Sequence, residues 1–452
     1  MKKEEITVKI TQLSDKGEGI VEDADFKIYV KGTVPGDEVL IERLPPFVTG
    51  SRRCPGKLLK IMRPSPDRAD DKEICPHVQE CGGCPLGLLH ERAQHVYKQK
   101  LIDEALQKAG FKNFQQSAFI GSPKGELRSK SIRFFAQALA GISQGFYQNR
   151  SHELCAVQSC PAEHAWFGEL ADHICLLAKK HGVEAYDEIK HEGSIRALMM
   201  RDCGEGGRIA LLSHALPLSK PFLEELTKLY AKFKIKAGFH QLNEDLGNRI
   251  LQGPMSVLTA GREVQVKIGD FYFNAGPRTF LQVNYAVAQM LYDAALQWCG
   301  EDYAANALDL CCGCGTMTLP LAKHFKHVIG VEIVKEAVEA AKYNAQEAKL
   351  NNIEFIADDL KRQLPRLTKD NIVAVIADPA RAGLGAENCN AMKYLAEGTR
   401  LAVIFCGLKA LSRDLPELVK AGFKLEKVQG FDMFPKSSGC ETLCLMRKVR
   451  KA

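Results

Sequence analysis

The sequence predicts a multi-domain α/β protein with three successive parts. From residue 4 to 63, short alternating apolar runs are separated by Gly and Pro turn signals, a pattern typical of a small all-β barrel. A mixed α/β part with closely spaced cysteines follows. From about residue 270, short apolar strands alternate with helical runs, as they do in a doubly wound parallel sheet. We place the three parts at residues 1–66, 67–265 and 266–452.

Length and composition exclude several classes of protein. The 452 residues are 46% hydrophobic and 26% charged, which is ordinary for a soluble globular protein. No apolar run approaches the roughly 18 residues of a membrane span, and the charged start MKKEEITVKI lacks the apolar region of a secretory signal. Sixteen cysteines in such a chain favour thiol or metal chemistry over disulfides. We therefore expect a cytoplasmic protein without a membrane partner. Because no heptads or exposed apolar helix faces stand out, we also expect a monomer.

One edge of the predicted barrel is basic. The stretch from residue 43 to 66 has no acidic residue and six basic ones: Arg43, Arg52, Arg53, Lys57, Lys60 and Arg63. A small barrel with an edge of one charge sign suits the grip of an RNA backbone. A solvated basic face without a partner is the alternative, because the net charge of +6 is too mild to decide.

The second part carries a candidate metal site. Cys75, Cys81 and Cys84 are spaced C-x5-C-x2-C, and a fourth candidate, Cys160, lies much further along the chain. Three close thiolates completed by a distant fourth suggest a [4Fe–4S] cluster. A structural zinc site is the main alternative, and unligated core cysteines are another. The spacing differs from that of radical-SAM enzymes, and four protein thiolates leave no iron open, so we expect a structural cluster.

Basic and apolar residues alternate around Lys130 and Arg133 in the same part. Basic side chains on a strand beside aromatic residues suit single-stranded RNA. An ordinary half-exposed strand explains the pattern equally well.

A glycine turn dominates the third part. The apolar run that contains Asp309 leads into Gly313-x-Gly315, and a second apolar run ends on Glu332. In a cofactor-binding βαβ unit, such glycines allow a tight turn under the ligand and the acid binds the ribose hydroxyls. Thr318 stands where a nicotinamide fingerprint would have its third glycine, so the pattern fits S-adenosylmethionine (SAM) better. An ordinary strand-to-helix turn is the alternative.

Four further side chains are predicted near the carboxyl edge of the same sheet, where ligands bind. Asp378 and Cys406 each follow a buried strand, and Glu441 follows a proline loop just before a final strand. Gln282 precedes a helix, where its amide suits a hydrogen bond to cofactor or base, or a helix cap. A thiol and a carboxylate facing a methyl donor suit methylation at C5 of uracil, in which a thiolate adds to C6 and a base later removes the C5 proton. Taken alone, Cys406 is better explained as a small buried hydrophobe, and as a nucleophile it needs local activation.

Motifs from all three parts occur in the order found in one enzyme family. They are Lys16-Gly-Glu-Gly19, Val34-Pro-Gly36, Ser65-Pro-Asp-Arg68, the four cysteines, Phe280-Leu-Gln-Val-Asn284, Leu308-Asp-Leu-Cys-Cys-Gly-Cys-Gly315, Val331-Glu332, Asp378-Pro-Ala-Arg-Ala-Gly383, Cys406 and Asp432-Met-Phe-Pro435 with Glu441. On these motifs the chain resembles bacterial RNA (uracil-5-)-methyltransferases, in particular the ribosomal-RNA enzymes that make 5-methyluridine.

The resemblance implies an OB-like TRAM barrel that binds RNA, an iron–sulfur central domain and a Rossmann-like SAM-dependent methyltransferase domain. It implies that Cys406 is the nucleophile and Glu441 the base, and that the four cysteines ligate the cluster. The residues implied to contact SAM or the target base are Gln282, Asp309, Gly313, Gly315, Glu332 and Asp378. The expected substrate is a uridine of 23S ribosomal RNA. A transfer-RNA uridine methyltransferase and an RNA-binding ribosome-assembly factor with weak catalysis are the alternatives.

The chain departs from the family pattern around the nucleophile. Phe405-Cys406-Gly407-Leu408 stands where the family commonly has Ser-Cys-Asn-Pro. Thr316-Met317 replaces the usual Asn-Phe, and Gly439 replaces a histidine that precedes the base. These changes concern how the base is held or the thiol is activated, while the thiol and the carboxylate remain.

Overall fold

The computed structural model describes residues 4–22, 26–46, 48, 51–112, 114–139, 141–149, 151–247, 249–367 and 371–449. Residues 1 and 452, the outer limits of the first and third predicted parts, lie outside these ranges. Within them the chain forms sheets of six, seven, two and eight strands. The mixed α/β architecture predicted from the sequence is confirmed. Among the described helices, none combines the length and the apolar character needed to cross a membrane.

The first sheet consists of β1 (Glu4–Lys9), β2 (Gln12–Leu13), β3 (Gly19–Glu22), β4 (Lys27–Val30), β5 (Glu38–Arg43) and β6 (Arg53–Arg63). Its strand order is β1-β5-β6-β4-β3-β2, and only the β4–β6 pair is parallel. Apolar residues such as Ile28, Val30 and Ile41 meet in a small core of its own. Basic residues of β6 point outward on the solvent side: Arg53, Lys57, Lys60 and Arg63. The charge pattern predicted for this edge therefore lies on a solvent-facing surface.

Helix α1 (Glu91–Lys108) and the short strand β7 (Gln115–Gln116) follow. Both pack on the last sheet of the molecule: Ile102 and Leu106 of α1 join its core, and β7 pairs with its edge strand. The first half of the sequence thus supplies the outer strand and a covering helix of the C-terminal sheet.

The seven-stranded sheet is built with two helices from β8 (Lys130–Ala138), β9 (Gly141–Tyr147), β10 (Leu154–Ala156), α2 (Ala165–His181), β11 (Ile195–Asp202), β12 (Arg208–His214), α3 (Lys220–Lys232), β13 (Ile235–Leu242) and β14 (Met255–Val257). Helices α2 and α3 cover one face, against Leu198 and Leu212. The other face carries Met199 and Leu211, which share a core with the C-terminal sheet.

Arg133 of β8 is not available to an RNA strand, which was one of the two interpretations of its alternating pattern. The side chain of Arg133 is only 1% exposed and pairs with the carboxylate of Glu163 at 2.7 Å. Its guanidinium also donates to the carbonyl of Val157. Arg133 is therefore a buried structural cation, because the alternating pattern alone does not indicate which residues another element covers.

The third part consists of β15 (Val264–Ile268), β16 (Phe271–Ala275), α4 (Tyr285–Cys299), β17 (Asp302–Leu310), α5 (Thr318–Ala322), β18 (Phe325–Glu332), α6 (Lys335–Glu347), β19 (Ile353–Ala357), α7 (Leu360–Leu367), β20 (Ile372–Ala377), α8 (Ala386–Ala391), β21 (Arg400–Phe405), α9 (Leu408–Lys420), β22 (Phe423–Phe431) and β23 (Glu441–Lys448). Strands β15 and β16 form a separate hairpin. The large sheet has the order β19-β18-β17-β20-β21-β23-β22-β7.

The first five strands of that order are parallel, but β23 runs antiparallel to both β21 and β22. The doubly wound parallel sheet predicted from the sequence is present in these five strands, and β23 departs from it. Residues 432–440 connect β22 to β23, and such a short connection does not provide the crossover of a dozen or more residues that parallel neighbours require.

Candidate active site

The topology of the large sheet brings the candidate catalytic residues to one edge. Asp378 and Cys406 follow the ends of the parallel strands β20 and β21. Because β23 is antiparallel to β21, the start of β23 lies at the same edge, and Thr442 is the register partner of Phe405. The next residues in opposite directions, Cys406 and Glu441, are therefore neighbours. The antiparallel direction of this last strand, which the sequence did not predict, brings Glu441 next to Cys406.

The glycine turn after β17 is tied to the acids predicted for it. The backbone N–H of Gly313 donates to the Glu332 carboxylate at 3.2 Å, and the Thr318 hydroxyl donates to Asp309 at 2.6 Å. Gly313 and Gly315 both have a positive φ, and no atom lies within 4 Å of the position that a Cβ on Gly313 would take. The turn therefore leaves open space beside its backbone, as a bound nucleoside requires.

A buried carboxyl group, Asp309, and a half-buried one, Asp378, stand beside this turn. Burial raises the pKa of Asp309 to about 7. The hydrogen bond from Thr318 lowers this pKa, and the charge of Asp378 raises it further. Burial likewise raises the pKa of Asp378 to about 7, opposed by a hydrogen bond from the amide of Gln282. Gln282 is itself buried. Its side chain therefore holds a carboxyl group, a role that the sequence did not predict for it.

Glu441 is almost completely buried and is not neutralised by a neighbour. Its side chain is 1% exposed, and Oε2 is buried without a hydrogen-bond partner in the described part of the chain. Burial and the charge of Asp378 raise the pKa of Glu441 well above its usual range, while the Arg381 guanidinium opposes them. An unpaired buried carboxyl oxygen is costly to the fold, which is typical of a group kept for chemistry.

Cys406 is half-buried at the end of β21. Burial raises the pKa of its thiol to about 11, the charges of Glu441 and Asp378 add to this shift, and Arg381 opposes it. A nucleophilic Cys406 was expected to need local activation. The two carboxyl groups do not provide it in the free protein, because they disfavour the thiolate. Arg381 is the nearby group that favours it. No role was expected for Arg381 from the sequence, although it lies in the motif that contains Asp378.

The four candidate cluster cysteines come together from two segments. Burial raises the pKa of Cys84 to about 11, and the neighbouring thiols of Cys81 and Cys75 act in the same direction. Burial, and then the charge of Glu163, raise the pKa of Cys160 to about 12, with a further contribution from Cys84. Cys84 is thus close enough to be influenced by Cys81 and Cys75, and to influence Cys160. Searched over the described ranges, however, no three or more His, Cys, Asp or Glu side chains are arranged to hold a metal ion. The predicted metal site is therefore not borne out.

Comparison with known proteins identifies the family. Residues 259–449 match the family model described as tRNA (Uracil-5-)-methyltransferase. A relative from Bacillus cereus (strain ATCC 10987), named an uncharacterized RNA methyltransferase, is 30% identical, with 100% of this chain and 98% of that protein covered. A relative of the same description from Clostridium tetani is 31% identical, with coverage of 97% and 95%. The chain belongs to the RNA (uracil-5-)-methyltransferase family. The protein is therefore a SAM-dependent RNA methyltransferase.

The fold of this RNA methyltransferase is similar to that of one solved structure over the full length of both chains. The tRNA (uracil-54, C5)-methyltransferase of Pyrococcus abyssi, solved in complex with S-adenosyl-L-homocysteine, has a TM-score of 0.76 at 20% identity. The match covers 98% of this chain and 100% of the archaeal one. All of the sheets described above thus belong to one shared architecture.

Proposed function

We propose that the protein transfers a methyl group from SAM to C5 of a uridine in 23S ribosomal RNA through a covalent bond between Cys406 and C6 of the base. The observation that carries this proposal is the placement of a thiol beside a buried, unpaired carboxyl group, set by the β21–β23 register. These are the nucleophile and the base that C5 methylation needs.

The reaction follows from the weakness of C5 as a nucleophile. The Cys406 thiolate adds to C6, and the electron pair of the C5–C6 bond moves to C5 to give an enolate. C5 then attacks the methyl carbon of SAM, and the sulfonium takes the electrons of the broken bond and leaves as S-adenosylhomocysteine. Glu441 removes the proton from C5, the C5–C6 double bond re-forms, and the thiolate is released. Arg381 favours the thiolate by its charge.

The residues around the glycine turn are the proposed SAM site. The open space at Gly313 would accept the nucleoside, with the Glu332 carboxylate at the ribose hydroxyls. Asp309 would hold the turn through Thr318, and Asp378 with Gln282 would face the methyl donor or the base. SAM supplies the electrophilic methyl group to this edge when it is bound.

Access to C5 requires the target uridine to leave its stack. A stacked base presents neither face of C5–C6 to a thiol and a sulfonium, and extrusion costs a few kcal/mol. Phe280 lies two residues before Gln282, and its side chain is 74% exposed. An exposed aromatic ring at the mouth of the site suits stacking on a neighbouring base.

The choice of ribosomal RNA rests on the parts outside the catalytic sheet. We assign residues 1–66 to a TRAM-type RNA-binding domain, 67–265 to a central domain and 266–452 to the methyltransferase domain. We assign to Cys75, Cys81, Cys84 and Cys160 a structural [4Fe–4S] cluster, because three closely spaced thiols and a distant fourth are a ligand set that such a cluster takes. The ribosomal-RNA enzymes that the chain resembles combine these features. A uridine of transfer RNA is the second candidate, favoured by the description of the matching family model and by the full-length archaeal fold match.

Trapping with 5-fluorouridine tests the proposal. The anaerobically purified protein is incubated with SAM and with 5-fluorouridine-substituted 23S or transfer RNA, digested with nuclease and analysed by intact mass. Because fluorine at C5 cannot leave as a proton, a methylated nucleotide should remain on Cys406, and the RNA that yields it identifies the substrate. Cys406→Ala should bind both SAM and RNA but yield no adduct. Protein that binds both ligands and forms no adduct with either RNA would refute the covalent mechanism.

A further inference from the structure

Two basic side chains face each other across the central sheet. In the antiparallel β8–β11 pair, Lys130 is the register partner of Arg201, so their side chains project from the same face. Within the ranges that the structure describes, no carboxylate forms an ion pair with either of them. Two adjacent cations without an anion are unfavourable, and such an arrangement calls for a negatively charged ligand.

Two of the three guanidinium nitrogens of Arg201 have no hydrogen-bond acceptor among the described residues. Its side chain is only 1% exposed, and its Nε and Nη1 are buried with no hydrogen-bond partner among the described residues. Nη2 alone is used, donating to the carbonyl of Thr279 at 2.7 Å. The unused nitrogens belong to a planar fork that matches two oxygens of a phosphate or carboxylate.

The charged form of Lys130 is disfavoured by its burial and by the neighbouring Arg201. Burial lowers the pKa of its ammonium group to about 8, and the charge of Arg201 acts in the same direction. A bound anion would remove both effects, because it replaces the lost hydration and screens the two cations from each other.

The pair lies beside the segment that leads into the active site. Arg201 holds Thr279, and the backbone N–H of Ser129, next to Lys130, donates to the carbonyl of Val283 at 2.8 Å. The segment between these two contacts carries the exposed Phe280. Lys130, the less buried of the two cations, therefore lies next to the segment that carries this ring.

We propose that Lys130 and Arg201 bind a phosphodiester group of the RNA strand next to the methylated uridine. The proposal rests on the placement of the active site given above, and it adds an RNA-positioning contact on the central sheet. An oxyanion is the shared chemistry, and the carboxylate of SAM is the other source, since the charge of Arg201 also reaches Cys314 in the glycine turn. The RNA is favoured because both cations stand on the central sheet beside the exposed aromatic ring.

Lys130→Met tests the site by removing one charge. The variant should leave no cavity, because Lys130 is only partly buried and methionine has a similar length. The affinity for a labelled single-stranded oligouridylate is measured by fluorescence anisotropy over a range of salt concentrations. We expect a Kd about three- to tenfold higher at low salt and a log–log salt slope smaller by about 0.7, the value for one lost phosphate contact. Lys130→Arg should restore both values. Lys220→Met is the matched control, because Lys220 is exposed on α3, over the opposite face of the sheet.

Two results would overturn the proposal. Unchanged affinity and salt slope in folded Lys130→Met would show that no phosphate is bound there. A higher Kd for S-adenosylhomocysteine in Lys130→Met, with RNA binding unchanged, would show that the two cations bind the carboxylate of the cofactor instead. The 5-fluorouridine adduct at saturating RNA should persist in Lys130→Met, so failure of this site is distinguishable from failure of the catalytic assignment.

Discussion

The backbone N–H of Leu86 donates a 2.9 Å hydrogen bond to the carbonyl of Lys436, which joins the cysteine loop to the segment that precedes Glu441. The backbone N–H of Lys436 in turn donates to the side-chain oxygen of Gln94 on α1 at 2.9 Å. The segment before Glu441 is therefore held from one side by residues about 340 positions earlier in the sequence. The N-terminal half thus packs against the segment that leads to Glu441.

Lys98→Met should release this segment. Lys98 donates to the Asp432 carboxylate at 2.5 Å and to the carbonyl of Phe434 at 2.9 Å, and both side chains of the ion pair are essentially unexposed. Removing Lys98 leaves the buried Asp432 carboxylate with only His95, at 3.2 Å, as an ion-pair partner, and breaking a buried pair costs up to about 3–5 kcal/mol. We expect a loss of this size in the free energy of unfolding measured with urea, together with slower methylation.

The partner of the buried lysine provides the control for that experiment. The double variant Lys98→Met/Asp432→Leu removes both charges and should recover more than half of the lost stability. Lys420→Met breaks an exposed pair with Glu417 and should change stability by less than about 1 kcal/mol. An equal loss in the single and double variants would show that the ion pair does not secure the segment.

Neutralising the basic edge of the first sheet should weaken RNA binding. The four exposed residues of β6 to be replaced by Gln are Arg53, Lys57, Lys60 and Arg63. If each faces a phosphate, the log–log salt slope of RNA binding falls by up to about 3, while S-adenosylhomocysteine binding stays unchanged. The matched control carries the same charge change at four exposed lysines elsewhere: Lys220, Lys228, Lys335 and Lys424. Equal effects in the two variants would mean that net charge, and not this edge, determines the affinity.

The sequence predicted those features that depend on local pattern. Buried apolar runs indicated β20 and β21, and residues that follow such strands, Asp378 and Cys406, were correctly expected at the carboxyl edge because parallel strands share it. Strand pairing is not local, so the antiparallel insertion of β23 was missed. Burial by a distant element is not local either, so neither the core position of Arg133 nor the unpaired state of Arg201 could be predicted from an alternating pattern.

Asp309→Asn should stabilise the protein above pH 7. Since burial raises the pKa of Asp309 to about 7, the folded chain keeps a proton between about pH 4 and 7 that the unfolded chain has released. The free energy of unfolding of the wild type therefore falls as the pH rises through this window. Asparagine does not titrate, and its oxygen can still accept the Thr318 hydroxyl. We expect urea unfolding to show a relative gain of about 1–4 kcal/mol at pH 8 compared with pH 4. Asp71→Asn, at an exposed carboxylate, should retain the pH dependence of the wild type. The same decline in Asp309→Asn as in the wild type would contradict the assigned titration.

Glu441→Gln should trap the reaction after methyl transfer. The glutamine fills the site of the buried carboxyl without a charge, but it cannot remove the proton from C5. The C6–sulfur bond to Cys406 therefore persists, since its cleavage needs the electrons that proton removal delivers to the ring. With unmodified RNA and methyl-labelled SAM, we expect a labelled protein–RNA adduct that survives denaturing electrophoresis, and turnover slower by about 10²–10⁴-fold. The double variant Cys406→Ala/Glu441→Gln should give no adduct, which distinguishes a bond to Cys406 from capture by another of the sixteen thiols. Turnover at the wild-type rate would show that a different group removes the proton, and the unpaired oxygen of Glu441 would then need another explanation.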